Sequence, residues 1–399
     1  MRPEAESGYA WLRLAASLAL MTLGGAGMYI VTVALPPVQA EFGIDRSAAS
    51  LPYTFTMIGF GLGGILMGRL ADRFGVMVPV VIGTLSLGSG FVAASFAREL
   101  WQFALAQGLL IGLFGCSATF APLVADTSLW FHRRRGIAVA ICASGNYLGG
   151  ALWPPVVQHF FDVAGWRATY LGVGAFCVAA MLPLALALRP PPPDIASAGA
   201  TGHGPARRAI DLPPRVVLAL LCVAGVSCCV AMSMPQVHIV ALCTDFGFPA
   251  ARGAEMLSLM LGFGIVSRLL SGWICDRIGG LRTLLLGSAL QATALTFFVR
   301  ADGLTSLYVV SALFGLFQGG IVPSYAIIVR EYFDPKRAGT TVSLVLTSTL
   351  FGMALGGWMS GAIFDLTGSY RAAFFNGIGW NLLNLAIAGF LLLRTRKPL

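Results

Sequence analysis

Apolar and glycine-rich blocks of about 18 to 25 residues, parted by short clusters of charge, proline and glycine, recur along the whole chain. They predict twelve membrane-spanning helices near residues 12–35, 48–70, 76–97, 101–124, 135–158, 166–188, 215–240, 252–274, 281–300, 305–329, 338–362 and 371–394. At about 1.5 Å of rise per residue, each is long enough for a hydrocarbon core about 30 Å thick. The first block follows basic residues but runs on to Leu35 without a small-residue cleavage site, so it reads as a retained span and not a signal peptide. The stretch 189–214 (RPPPPDIASAGATGHGPARRAIDLPP) breaks the pattern with proline, glycine and charge, as a linker does. The expected fold is an all-α membrane protein with an N-terminal half over 1–188, a linker over 189–214 and a C-terminal half over 215–399.

Composition agrees, and charge adds orientation. With 57% hydrophobic and 11% charged residues and a mean hydropathy of +0.80, the chain does not suit a water-facing surface. Its +9 net charge invites a nucleic-acid partner only until the charges are placed. If the N-terminus is cytoplasmic, nineteen of the 26 lysines and arginines fall on that side, six on the other, and Arg268 completes the count. The positive-inside rule then puts both termini and the linker in the cytoplasm, at a bacterial-type inner membrane, with the bilayer as the partner and no nucleic acid.

The two halves repeat at an offset of 204 residues. Glu41-Phe42-Gly43 matches Asp245-Phe246-Gly247, the stretch Gly68 to Gly75 matches Gly272 to Gly279, and Trp166-Arg167-Ala168 matches Tyr370-Arg371-Ala372. Two parallel six-helix halves on one linker resemble the major facilitator architecture.

One residue offends the apolar pattern. Arg268 lies eight residues before Asp276, the first interfacial residue of its block, and so roughly 12 Å inside the hydrocarbon core. A charge at that depth costs from about 2.5 to more than 10 kcal/mol, and persists where it faces a cavity and meets a partner. Its counterpart 204 residues earlier is Gly64, so the scaffold does not demand an arginine there. The acids fall at the helix ends, Asp126 near the inner end of the fourth block included, so no protein carboxylate is expected at its depth. A planar fork of donors suits a substrate carboxylate bidentately, and low dielectric strengthens the contact. The alternative is a guanidinium held by helix carbonyls or water.

Gly68-Arg69-Leu70-Ala71-Asp72-Arg73-Phe74-Gly75 resembles the major facilitator loop motif. Its glycines permit a tight turn, and Asp72 can accept from Arg73 and from a helix N-terminus. The resemblance makes Gly68, Asp72, Arg73, Asp276 and Arg277 candidates for biasing which side is open. Glu6-Ser7-Gly8-Tyr9-Ala10-Trp11 resembles the first signature of the monocarboxylate transporter family, with serine for a glycine and tyrosine for the usual tryptophan or phenylalanine. Arg133-Arg134-Arg135-Gly136 through Ser144-Gly145-Asn146-Tyr147-Leu148-Gly149 is similar to its second. Together with Arg268, which matches that family's carboxylate-clamping arginine, the resemblance covers the whole chain and extends to oxalate/formate antiporters. Three departures stand out: Gly264 where animal members carry an acid, Tyr29 where they carry a lysine, and Thr347-Ser348-Thr349 where dicarboxylate exchangers use a lysine. One intramembrane cation suits a monocarboxylate; the missing acid leaves proton coupling open.

Tyr29, Asn146, Tyr147, Gln318, Tyr325 and Thr349 are polar groups inside apolar spans, either substrate ligands or interhelical hydrogen bonds. His238 reads as interfacial at the outer end of the seventh span. The eight cysteines lack metal or disulfide spacing, and His132, His159, His203 and His238 are scattered over separate segments, so no metal, cofactor or enzymatic centre is expected. The sequence therefore points to a secondary transporter of a small monocarboxylate by alternating access, with or without a proton as co-substrate. A uniporter or exchanger of organic anions, or a multidrug-type exporter of the same fold, is the alternative.

Overall fold

A computed structural model of the chain describes residues 6–131, 133–190 and 210–395. Its long helices are α1 (Gly8–Val33), α2 (Arg46–Phe74), α3 (Met77–Ser95), α4 (Leu100–Trp130), a continuous stretch Arg135–Leu186, α7 (Pro214–Asp245), α8 (Ala250–Ile278), α9 (Gly280–Arg300), α10 (Leu304–Tyr332), α11 (Gly339–Thr367) and α12 (Tyr370–Leu393). Arg135–Leu186 leaves helical geometry at Gly165 (φ 79°, ψ 159°), which divides it into α5 (135–164) and α6 (166–186). All eleven helices are long and apolar enough to cross a bilayer, so this break gives the twelve expected spans. The linker residues 191–209 lie outside the described residues, as do His132, His203, Arg2, Arg207, Arg208, Arg396 and Lys397.

Several helices outrun their apolar blocks. α2 extends to Phe74 and α8 to Ile278, because the helical backbone satisfies its own hydrogen bonds whatever side chains it carries into the polar zone. The repeat is also visible in the backbone: Gly43 and Gly247, and Gly75 and Gly279, hold positive φ at matching places. Each closes a helix in a left-handed or otherwise forbidden conformation that a side chain would strain.

Packing separates two compact units, one of α1–α6 together with Val237–Gly262, the other of the remaining parts of α7 and α8 with α9–α12. In the first unit α2 and α4 meet backbone to backbone, and α4 widens into a π-helix over Ala106–Cys116 at that crossing. A Cβ at Gly63 would collide with the Leu113 carbonyl, and one at Gly59 with that of Gly108. Small residues at such a crossing are what close packing in a membrane requires. Gly63→Val is expected to lower the unfolding temperature in detergent, at a cost of about 1–3 kcal/mol, since backbone cannot step aside. Gly64→Ala, whose Cβ meets nothing within 4 Å, should not.

The second unit has a polar core. Tyr325 on α10 donates to Asn384 Oδ1 on α12 (2.9 Å), and Asn384 donates to Ser288 Oγ on α9 (2.6 Å). Asn381 donates to the Ser288 carbonyl (2.7 Å), and Gln291 to the Cys228 carbonyl on α7 (3.3 Å). Such interhelical bonds give buried polar groups the partners that lipid cannot supply.

Candidate functional site

Arg268 sits within α8, ten residues before its end at Ile278, with apolar residues on both sides along the helix. Its side chain is half-buried; Nε makes no hydrogen bond, while the residue makes other contacts. Around it α8 is pressed against the middle of α10, where Gly319 and Gly320 interrupt the helix between Gln318 and Ile321. A Cβ at Gly319 would strike the Gly264 carbonyl and the Ser267 side chain, and one at Gly320 would strike Ser271. Gly264, Ser267 and Ser271 bracket Arg268 by four, one and three residues, so the arginine lies beside this crossing.

The same crossing brings in Gln318. It is fully buried, and neither its amide nitrogen nor its amide oxygen has a hydrogen-bond partner. A buried amide left unmet on both sides is rare in a native interior and costs free energy wherever it occurs. Arg268 and Gln318 are thus drawn toward one helix crossing, a cation and a neutral donor-acceptor group. The other two candidates of this unit are drawn elsewhere. Tyr325 belongs to the polar core, and Thr349 donates to the Leu346 carbonyl (2.7 Å) where α11 packs on Gly225 of α7.

In the first unit the three candidates lie along the α1–α5 contact. Gly145 and Gly149 of α5 press on the Leu18 and Thr22 carbonyls of α1, and Trp153 Nε1 donates to Thr22 (3.0 Å). A Cβ at Gly150 would meet the Tyr29 ring and the Leu261 side chain. Asn146, one turn before Gly150 on the same face, is half-buried, and Tyr147 is buried. Gly64, the repeat counterpart of Arg268, has open space at its Cβ, so packing did not oblige α2 to carry a glycine there.

Comparison with known proteins decides the family. The major facilitator superfamily model matches residues 17–306 and 219–399. Monocarboxylate transporter 13 of Bos taurus is 30% identical over 313 residues, covering 76% of this chain and 71% of that protein. The chain belongs to the monocarboxylate transporter family of the major facilitator superfamily. Monocarboxylate transporter 11 of Homo sapiens is 28% identical over 92% of the chain and 80% of its own length. The crystal structure of a bacterial homolog to the human lysosomal transporter Spinster, in an inward-facing and occupied conformation, superposes with a TM-score of 0.71. It covers 99% of this chain and 100% of its own at 16% identity, a likeness of fold alone.

Within this transporter the two family signatures meet in space. The Glu6 carboxylate accepts from the backbone N–H groups of Arg133 (2.6 Å) and Arg134 (3.0 Å), while Glu6 N donates to the Trp130 carbonyl (3.0 Å). Tyr9 packs on Trp130 and Trp11 on Phe131, and Tyr9 Oη donates to Ala187 (2.5 Å) at the exit of α6. One turn on, Arg13 forms a bidentate pair with Asp126 (2.8 and 2.9 Å), donates to the Pro190 carbonyl (3.0 Å) and stacks over Trp130 at 4.6 Å. The sequence assigns Arg13 and Asp126 to helix ends; they are 2% and 7% exposed. The first signature is a clasp that fastens the start of α1 to the α4–α5 turn and to the beginning of the linker.

The loop motif is more open. Gly68 is half-buried; Asp72, Arg73, Asp276 and Arg277 are exposed, Arg73 lying over the Phe74 ring (5.1 Å) and Arg277 over Trp273 (3.8 Å). The carboxylate that caps the next helix is Glu331 at the end of α10, which accepts from Gly280 N at 3.1 and 3.2 Å. A carboxylate at a helix N-terminus is favoured by the dipole, and here it comes from a residue the motif does not contain.

The opposite end of the helices also corrects a sequence expectation. His238 is 1% exposed, not interfacial, and its Nε2 lies 3.5 Å from Ser50 Oγ of α2. Among the described residues no group of histidine, cysteine and acid could hold a metal ion.

Proposed function

We propose that this protein is a secondary transporter of a small monocarboxylate, working by alternating access, with Arg268 as the residue that receives the carboxylate. The observation that carries the reading is the place of Arg268: mid-helix in an apolar span, on one half of a duplicated scaffold only, beside the Gly319–Gly320 interruption of α10. Charged side chains inside membrane spans are how transporters meet ionic substrates. The names of the relatives support a carboxylate as the ion. Gln318 on the same crossing is a neutral donor and acceptor for the remainder of the substrate. Of the other candidates, Tyr325 and Thr349 are engaged by Asn384 and the Leu346 carbonyl, and Tyr29, Asn146 and Tyr147 lie along the α1–α5 contact. Asp72, Arg73, Asp276 and Arg277 bias the open side. The basic end, with Arg69, Arg73 and Arg133 to Arg135, faces the cytoplasm of a bacterial-type inner membrane, and both termini lie there.

The test is thermal unfolding of the purified protein with carboxylates of graded size, each beside its amide. A ligand at a hundred times its Kd stabilises by about 2.7 kcal/mol. Carboxylates of one size range should raise the unfolding temperature, and their amides should not. Equal shifts from acid and amide, or none from any acid, would overturn the assignment. A proton gradient imposed on proteoliposomes then separates two forms of the reading: accumulation that follows the gradient marks symport, and simple equilibration marks uniport.

A further inference from the structure

At the end of the helices away from the basic loops, the last turns of α7 pack on the start of α2. Arg46 donates through Nη1 and Nη2 to the two carboxylate oxygens of Asp245, at 3.2 and 3.1 Å. One turn inward, Ser50 of α2 faces His238 of α7. A parallel seam joins α5 and α8, where Ser258 Oγ donates to the Ala151 carbonyl and Leu261 lies against Gly150. Ser50 itself is fully buried and spends its proton on the Arg46 carbonyl (2.8 Å).

The repeat shows that the Arg46–Asp245 pair is not scaffold. The counterpart of Asp245 is Glu41, and Glu41 is held inside its own half: Arg167 Nε donates to it at 2.8 Å and Trp166 Nε1 at 2.5 Å, while Arg167 also donates to the Ser95 and Ala97 carbonyls. Glu41 therefore fastens one six-helix repeat to itself. Asp245 instead reaches a residue of the other repeat. The counterpart of Arg46 is Ala250, so this arginine, like Arg268, occurs on one side of the duplication only. A pair that joins α2 to α7 must part whenever this end of the transporter opens, whereas Glu41–Arg167 rides within one half throughout the cycle.

We infer that Arg46 and Asp245 form an ion-pair latch that sets how often this end of the transporter opens. A bidentate, charge-assisted pair with partly buried partners is stronger than an exposed one, yet its charges rehydrate readily on separation, which suits a contact made and broken in each cycle. The inference rests on alternating access, not on the nature of the substrate, and its test needs no substrate.

The reporter is Ser50→Cys, a near-isosteric change at a fully buried seam position, reacted with a polar maleimide on purified protein, with the native cysteines subtracted from the parent. Arg46→Gln and Asp245→Asn should each speed labelling of the introduced thiol by about three- to tenfold. The exchanged pair Arg46→Asp with Asp245→Arg should bring it back toward the parent rate. Arg167→Gln, which breaks an ion pair at the same end but within one repeat, should leave it unchanged. Size-exclusion profiles and unfolding temperatures report whether each variant is folded, and Arg46→Lys, which keeps the charge, should label at an intermediate rate. Unaltered labelling in both single variants, or an equal rise in Arg167→Gln, would overturn the latch.

Discussion

Arg268→Gln is expected to abolish uptake of the carboxylate substrate while the protein remains folded and inserted. Glutamine keeps length and some hydrogen bonding but removes the charge and the fork. Losing one member of a buried, hydrogen-bonded charge pair costs about 2–5 kcal/mol, or roughly thirty- to several-thousandfold in affinity. Arg268→Lys keeps the charge as a point and should retain a fraction of the binding, because it cannot meet both carboxylate oxygens in one plane. The measurements are uptake into proteoliposomes and carboxylate-dependent unfolding temperature. Near-parental uptake in Arg268→Gln would remove the arginine from the site. A collapse of the size-exclusion profile in both variants would assign it to the scaffold.

The second large effect is structural. Asp126→Ala leaves Arg13 charged and 2% exposed, with the Pro190 carbonyl and the Trp130 face as its remaining neighbours. Breaking a buried pair by removing one partner costs about 3–5 kcal/mol, since the survivor keeps its desolvation penalty and loses its compensation. Replacing both, as Arg13→Met with Asp126→Leu, should recover most of that loss, because apolar groups of similar volume substitute for buried ion pairs at little net cost. Thermal unfolding of the single and double variants in detergent is the check. A double variant as unstable as Asp126→Ala would mean that the contacts of Arg13 to Pro190 and Trp130, and not its charge pair, hold the clasp.

What could be seen in the sequence follows from which forces act locally. Hydrocarbon selects apolar side chains residue by residue, so twelve spans emerge from hydropathy, and the repeat emerges because duplicated glycines such as Gly75 and Gly279 hold the same special backbone geometry. The partners of charged residues do not emerge. Arg13 and Asp126 stand 113 residues apart and Arg46 and Asp245 stand 199 apart, and each of the four reads alone as an ordinary interfacial charge. Only the fold can show that they are paired, the first pair buried and the second partly so. His238 misleads for the same reason, since its position near a helix end says nothing of the α2 surface that covers it. The π-helix of α4 leaves no trace in periodicity, because Ala106–Cys116 is apolar or small nearly throughout. Arg268 was legible for the opposite reason: a charge among apolar neighbours needs no partner to be noticed. Gln318 was visible as a polar residue, but its fully buried, unmet amide was not.

The two repeats have parted company at corresponding helices. α4 accommodates its crowded crossing by widening over Ala106–Cys116 and turns at Thr119–Phe120, whereas α10 stays α-helical to Gln318 and turns at Gly319–Gly320 next to the arginine-bearing helix. A chimera built from two copies of the first six helices would inherit the wide-turned helix twice and the Gly319–Gly320 turn not at all. It would keep a bilayer-compatible shell and carry glycine at both Gly64-type positions. The proposed carboxylate site therefore rests on what diverged between the two repeats more than on the duplicated shell itself.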